Sequence, residues 1–160
     1  MTVFLVIVIC AALIAVIVYF SMKKHKQLVG EGKIISRKPD FVKNAEIFTL
    51  HIPDFSLVTE GVKAFPYGEI GTNLKGSSTE QRFNFTASSW GAKLFRTSGD
   101  GESAEYRFEF TNWSTRNGMP TAALQMNMLL TAVEKLFLSI DGSTQVRTQP
   151  LELKTKHTFF

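Results

Sequence analysis

The chain has 160 residues, of which 44% are hydrophobic and 20% charged, with a formal net charge of +4 and one cysteine. This length accommodates one ordinary domain and an appendage. The apolar fraction and the modest numbers of Gly and Pro exclude a collagen-like, fibrous or wholly disordered chain.

The excess positive charge is confined to one short segment. Residues 1–22 contain no Lys, Arg, Asp or Glu. Residues 23–43 contain seven basic and two acidic side chains, a net charge of +5, whereas residues 44–160 contain eleven basic and twelve acidic side chains, a net charge of −1. Because nucleic-acid binding requires Lys and Arg clustered on the folded domain, the nearly neutral remainder predicts that the protein binds no nucleic acid.

Residues 3–20 form an apolar run without charged or amide side chains, Gly or Pro. An α-helix of that length spans about 27 Å, close to the hydrocarbon thickness of a bilayer. The run is apolar on all sides, unlike the core helix of a soluble protein. It also lacks the basic leader and the small-residue cleavage site of a secretory signal peptide. We therefore predict an uncleaved transmembrane anchor over residues 1–22, with a cleaved signal and a core helix as alternatives.

Three lysines directly after this run predict how the anchor is oriented. Lys23, Lys24 and Lys26 follow the apolar stretch, and only the α-amine precedes it. The positive-inside rule then places the N-terminus outside and the C-terminal domain in the cytoplasm. The same side chains are expected to contact the membrane surface. Residues 23–40 are interpreted as a basic juxtamembrane tether, and the lone Cys10 in the anchor is compatible with a reducing compartment.

The predicted soluble domain, residues 41–160, begins with a strand and a helix. Residues 46–52 alternate apolar and polar side chains, which is typical of a half-buried strand. Asp54 follows as a helix N-cap, and residues 55–65 carry one apolar stripe of a three-turn helix. Residues 67–79 are rich in Gly and Ser and predict a loop or an irregular sheet edge.

Three alternating stretches then predict antiparallel strands over residues 82–87, 90–96 and 103–111. The Gly-containing segment 98–101 is a hairpin turn signal between the second and third strands. The third strand places its aromatic residues on one face and its charged residues on the other. The charged face is suited to water and to cross-strand ion pairs, and it consists of Glu105, Arg107 and Glu109.

The strongest amphipathic pattern in the domain runs from Pro120 to Ile140 and predicts a helix that lies on the sheet. A final alternating run over residues 151–159 predicts a C-terminal strand. The resulting order, β-α-β-β-β-α-β, predicts an α+β fold in which two helices cover one face of an antiparallel sheet.

The search for catalytic groups gives almost nothing. The sequence contains no metal-binding, nucleotide-binding or nucleophile motif, so we predict no cofactor, no metal site and no enzymatic activity. His51 with Asp54 is the best acid–base couple, although a strand-end His beside a capping Asp is the favoured interpretation. Glu105 and Glu109 resemble paired carboxylates, but Arg107 between them favours an ion-pair face.

The aromatic residues offer one further candidate site. Most of the 14 Phe lie beyond the anchor, and they are expected to fill a small core. The alternative is a hydrophobic cleft between sheet and helices that takes a lipid or a peptide. The residues of this predicted cleft are Phe83, Phe85, Tyr106, Phe108, Phe110, Met126, Leu129 and Val133.

Three functions fit these patterns. The first is a single-pass membrane protein whose cytoplasmic domain is a non-enzymatic module for a protein partner or a hydrophobic ligand. The second is an exported structural subunit that is pilin-like in layout, although the sequence lacks the basic leader and the early acidic residue that pilins are expected to carry. The third is a small enzyme without a recognisable motif.

Overall fold

A computed structural model describes residues 2–51, 54–77, 81–99 and 101–152, and it divides the chain into two compact units, residues 1–36 and 37–160. The first unit consists of a long helix and the segment that follows it. The second is α+β and contains a six-stranded antiparallel sheet with helices. This confirms the predicted fold class.

The N-terminal helix, α1, spans Thr2–Gly30 and is long and apolar enough to cross a membrane. Its large apolar side chains between Phe4 and Phe20 are 49–74% exposed, which favours an apolar environment around them. Gly32 adopts a left-handed backbone with φ +67°, and the Lys33 amide donates to the Leu28 carbonyl, which ends the helix. The predicted tether, residues 23–40, therefore begins as helix.

A second helix, α4 (Ala123–Ile140), is also long and apolar enough to cross a membrane, but half of it is buried inside the second unit. It is the core helix that the sequence predicts between positions 120 and 140. Burial against protein accounts for its apolar face.

The second unit starts at Arg37, four residues before the predicted boundary. A 3₁₀ helix, Pro39–Lys43, leads directly into the sheet. The part of the chain that the structure describes contains eight strands: β1 (Asn44–Leu50), β2 (Asn73–Ser77), β3 (Arg82–Thr86), β4 (Trp90–Gly99), β5 (Ala104–Trp113), β6 (Thr115–Arg116), β7 (Met119–Pro120) and β8 (Gln145–Pro150). The main sheet has the order β2-β3-β4-β5-β1-β8, and β6 pairs separately with β7.

One face of the sheet, here called the inner face, forms the core. Phe48 of β1 lies opposite Tyr106 of β5, and Phe108 of β5 lies opposite Leu94 of β4. All four side chains are at most 1% exposed. Phe137 of α4 stacks on Phe48 with ring centroids 4.5 Å apart. The opposite, outer face carries charged residues such as Arg107, Glu109 and Arg147, whereas Glu46 of β1 lies on the inner face.

Two further helices accompany α4. Helix α2, Phe55–Lys63, begins at Asp54, whose carboxylate accepts hydrogen bonds from the Ser56 and Leu57 amides, as predicted. Helices α2 and α4 approach so closely that a Cβ placed on Gly61 would lie 2.1 Å from the Leu136 side chain. Helix α3, Tyr67–Ile70, is a single turn.

The structure departs from several predicted elements. Helix α4 begins at Ala123, because Pro120, the predicted first residue, lies in β7. The segment 67–79, predicted as a loop or an irregular edge, contains the edge strand β2 and the short helix α3, which was not predicted. Among the described residues the last strand is Gln145–Pro150, which was not predicted. Of the strand predicted over 151–159, residues 151 and 152 are not in a strand, and the remainder lies outside the described residues.

The contact between Phe137 and Phe48 predicts a large stability effect. Phe137 is fully buried, so Phe137→Ala removes a stacked ring and leaves a cavity. We expect the free energy of unfolding to fall by about 3–5 kcal/mol.

Its neighbour provides the matched control, since Leu138 lies on the same helix and is 47% exposed. Leu138→Ala is expected to cost about 0.5 kcal/mol. Both values are measured by urea unfolding of the full-length protein in detergent, followed by tryptophan fluorescence. Equal losses for the two variants would contradict this description of the core.

Candidate functional site

The eight residues of the predicted hydrophobic cleft all lie in the core. Each is at most 3% exposed, and several rings contact one another: Phe85 with Phe108 at 6.3 Å and Phe108 with Phe110 at 5.1 Å between centroids. A ligand would have to displace these contacts to enter. Hydrophobic-ligand binding here therefore stays a prediction.

The second unit also contains a cavity that lies away from these eight residues. It has a volume of about 280 Å³ and is lined by the 3₁₀ helix and by the β6–β7 hairpin, including Trp113 and Pro120. That volume is at the lower end of the roughly 300–1,000 Å³ typical of small-molecule sites. None of its lining residues belongs to the predicted cleft, so it is a different place in the domain.

The three lysines predicted to contact the membrane surface lie on α1, and all are exposed. Lys23 and Lys26 are three residues apart and therefore share a face of the helix. The helix thus carries its basic residues directly after its apolar segment.

His51 contacts Asp141, not the predicted partner Asp54. The His51 amide donates to the Asp141 carboxylate at 2.7 Å, and the His51 Nδ1 atom lies 3.4 Å from the same carboxylate. Asp54 instead caps α2. Hydrogen bonds from Ser143 and His51 lower the pKa of Asp141 to about 2, so this carboxylate joins the end of β1 to the end of α4.

Ser143 completes a Ser, His and Asp cluster, but its geometry is not that of a catalytic triad. The Ser143 hydroxyl donates to Asp141 at 2.5 Å and lies 3.3 Å from His51 Nδ1. Serine and aspartate therefore approach the same ring nitrogen. In a triad the histidine must accept the serine proton on one nitrogen and bind the carboxylate through the other. The cluster functions as a connection between two element ends.

The most unusual polar group in the domain surrounds Arg37. Its guanidinium donates to Asn127 at 2.9 Å, pairs with Glu134, and lies 3.5 Å from Glu46. Asn127 also accepts a hydrogen bond from Thr131 at 3.2 Å. These residues bring together the segment before the 3₁₀ helix, β1 and α4.

This group contains two carboxyl groups and one guanidinium. The Oε2 atom of Glu46 is buried without a hydrogen-bond partner. Two ionised carboxylates only accept hydrogen bonds, so Glu46 and Glu134 form a hydrogen bond only when one of them holds a proton. Burial, followed by the charge of Glu134 and the hydrogen bond to it, raises the pKa of Glu46 to about 8, although Arg37 opposes this shift.

The raised pKa favours the protonated form of Glu46 at neutral pH, and Glu134 pairs with Arg37. Because Glu46 is only 8% exposed, this proton is poorly placed for exchange with a substrate. Among the residues that the structure describes, no three His, Cys, Asp or Glu side chains are grouped so as to hold a metal ion.

Sequence reasoning missed this group. Glu46 lies two residues before Phe48 and four before Leu50, so its side chain is on the same, core-facing side of the strand. The alternation of the strand therefore already indicated that one acidic side chain points into the core. Its partner Arg37 was assigned to the tether. Nothing in the local sequence indicates that a residue 97 positions away, Glu134, meets Arg37.

The predicted ion-pair face is present on the outer side of the sheet. Arg107 binds Glu109 at 2.6 Å, and Lys93 binds the same carboxylate at 2.9 Å. Arg147 of the edge strand binds Glu105 at 2.5 Å. The lysine and arginine contacts lower the pKa of Glu109 despite its partial burial. Glu105 and Glu109 are therefore each paired with basic residues.

Comparison with known proteins gives no relative from which a role could be transferred: no family model, curated protein or solved structure matches this chain.

The raised pKa of Glu46 predicts an unusual pH dependence. The folded protein binds the Glu46 proton more tightly than the unfolded chain does, so the free energy of unfolding is expected to fall as pH rises from about 4.5 to about 8. Glu46→Gln keeps the shape and a neutral side chain, and it should remove this dependence and stabilise the protein at pH 8.

Glu134→Gln is the matched control, because it removes the partner of Arg37 and should destabilise the protein at both ends of this pH range. The measurement is urea unfolding of full-length protein at a series of pH values. An unchanged pH dependence in Glu46→Gln would show that Glu46 is ionised in the folded state.

Proposed function

We propose that the protein is a single-pass membrane protein whose α+β domain lies in the cytoplasm and acts as a non-enzymatic interaction module. The observation that carries the proposal is α1, whose apolar side chains are exposed along the whole stretch from Phe4 to Phe20. Covering them with hydrocarbon stabilises the helix, whereas water does not. A membrane anchor accounts for this surface without a further partner.

The charge distribution supports the proposed orientation. Lys23, Lys24 and Lys26 are exposed directly after the apolar segment, and residues 1–22 carry no charged side chain. The lysine-rich side of an anchor is retained in the cytoplasm.

A non-enzymatic role is supported by what the polar groups of the domain contact. His51 and Ser143 both approach Asp141, Glu105 and Glu109 are in ion pairs, and Glu46 is buried. Each of these groups has a structural partner or is shielded from solvent. We infer that the domain acts through its surface.

Protease protection tests the orientation. In inverted inner-membrane vesicles that contain the full-length protein, added protease is expected to digest the domain and leave the anchor. Carbonate washing should leave the undigested protein in the membrane fraction. Protection of the domain would favour the exported, pilin-like alternative, and release by carbonate would exclude the anchor.

The lysines themselves can be tested with a charge-matched pair of variants. Replacing Lys23, Lys24 and Lys26 by Gln should give a mixture of orientations, because it removes the residues that hold this side in the cytoplasm. Replacing Lys63, Arg116 and Lys135 by Gln removes the same charge at positions far from the apolar segment in sequence, and the orientation should stay uniform. Uniform orientation of both variants would contradict the proposed role of the three lysines.

A further inference from the structure

The outer face of the sheet carries a row of arginines that the linear sequence conceals. Neighbouring strands place Arg82 opposite Phe95, Phe95 opposite Arg107, Arg107 opposite Ile47, and Ile47 opposite Arg147. Three arginines thus alternate with two apolar residues across five adjacent strands. At about 4.8 Å per strand, the row is about 19 Å long and its arginines are about 10 Å apart.

This face has a different charge from the rest of the domain. The described outer-face residues of the main sheet include five basic and two acidic side chains: Lys75, Arg82, Lys93, Arg107, Arg147, Glu105 and Glu109. Their net charge is +3. The second unit, residues 37–160, contains fourteen basic and thirteen acidic side chains, a net charge of +1, so the remainder of the unit carries −2. The outer face is therefore more basic than the rest of the domain.

The ion pairs on this face leave basic groups available at its margins. Lys75 and Arg82 are exposed on β2 and β3, and Arg147 is 63% exposed although it pairs with Glu105. Arg107 is more enclosed, between Glu109 and Gln149. Because the basic side chains are spread over the face and not gathered at one point, the face attracts a layer of anions more strongly than it attracts one small anion.

We propose that the outer sheet face docks onto an anionic phospholipid surface, with Lys75, Arg82 and Arg147 as its main contacts. This proposal rests on the proposed function, since an anchored domain is permanently close to a bilayer. Residues 31–36 join the end of α1 to the second unit. The seven Cα–Cα steps from Gly30 to Arg37 span roughly 25 Å at full extension.

The only aromatic ring in the row is not arranged for binding nucleic-acid bases. Phe95 is half-buried, with the Lys93 ammonium 4.9 Å and the Arg82 guanidinium 6.0 Å from its ring centroid. Proteins that bind single-stranded nucleic acid use exposed aromatic faces on which successive bases stack. A basic surface without an open aromatic ring for stacking is better suited to the phosphate groups of lipids than to nucleic-acid bases.

The test uses the full-length protein in nanodiscs of phosphatidylcholine, with or without about one-third phosphatidylserine. In a Cys10→Ser background, Asn84→Cys carries a fluorophore on the outer face, and Ser139→Cys carries it on α4 on the opposite side of the domain. Nitroxide-labelled headgroups quench a fluorophore that lies at the lipid surface. We expect quenching at position 84 only with phosphatidylserine, weakened by salt, and little at position 139.

A charge-matched pair of double variants tests the residues. Each basic side chain near an anionic surface contributes about 1 kcal/mol, which corresponds to roughly fivefold in the docking equilibrium. The Lys75→Gln/Arg82→Gln double variant should therefore reduce the ratio of docked to undocked protein roughly 25-fold. Lys63→Gln with Lys135→Gln removes the same charge from the helices and should leave the ratio unchanged.

The outcomes separate the two proposals. Failure of the protein to enter nanodiscs would overturn the anchor. Entry with equal quenching at position 84 in both lipids, or equal losses in the two double variants, would overturn docking alone. Labelled single-stranded RNA is added to the phosphatidylcholine nanodiscs. If the RNA binds the protein, and the Lys75→Gln/Arg82→Gln double variant abolishes that binding, then nucleic acid and not lipid is the partner of this face.

Discussion

The second unit depends on one constraint: helix α4 covers only one face of a sheet whose side chains alternate between two faces. Phe137 packs against Phe48 and lies 5.1 Å from Tyr106 between ring centroids, which fixes the inner face. Because the strand period is two, every residue of opposite parity is then directed outward. The buried core and the arginine row are two consequences of the same packing.

This constraint also explains the acidic group inside the domain. Glu46 shares its parity with Phe48, so the packing that buries the phenylalanine buries the carboxyl as well. Arg37 and the protonated form of Glu46 reduce the cost of that burial, since an isolated buried carboxylate is strongly unfavourable. The group joins Arg37 to β1 and α4, and Arg37 is the first residue of the compact second unit.

Local patterns were sufficient for much of the fold. Apolar runs and alternation predicted α1, α4, the hairpin strands and the Asp54 cap, because each of these depends on residues close together in sequence. The short helix within residues 67–79 was missed, and the choice between loop and edge strand stayed open, since Gly and Ser are compatible with both. His51 was assigned to the nearer acid, whereas its actual partner, Asp141, is 90 residues away and is brought close only by the end of α4.

The charge of the domain shows most clearly why the net charge of a sequence does not give the charge of each face of the folded protein. Residues 44–160 are nearly neutral in total, and that neutrality led to the prediction that the protein binds no nucleic acid. The strand register instead places Arg82, Arg107 and Arg147 in one row, while most acidic residues lie on other elements. An approaching anion interacts mainly with charges within about one Debye length, near 10 Å in dilute salt. At the outer face these charges are five basic and two acidic side chains, a net charge of +3.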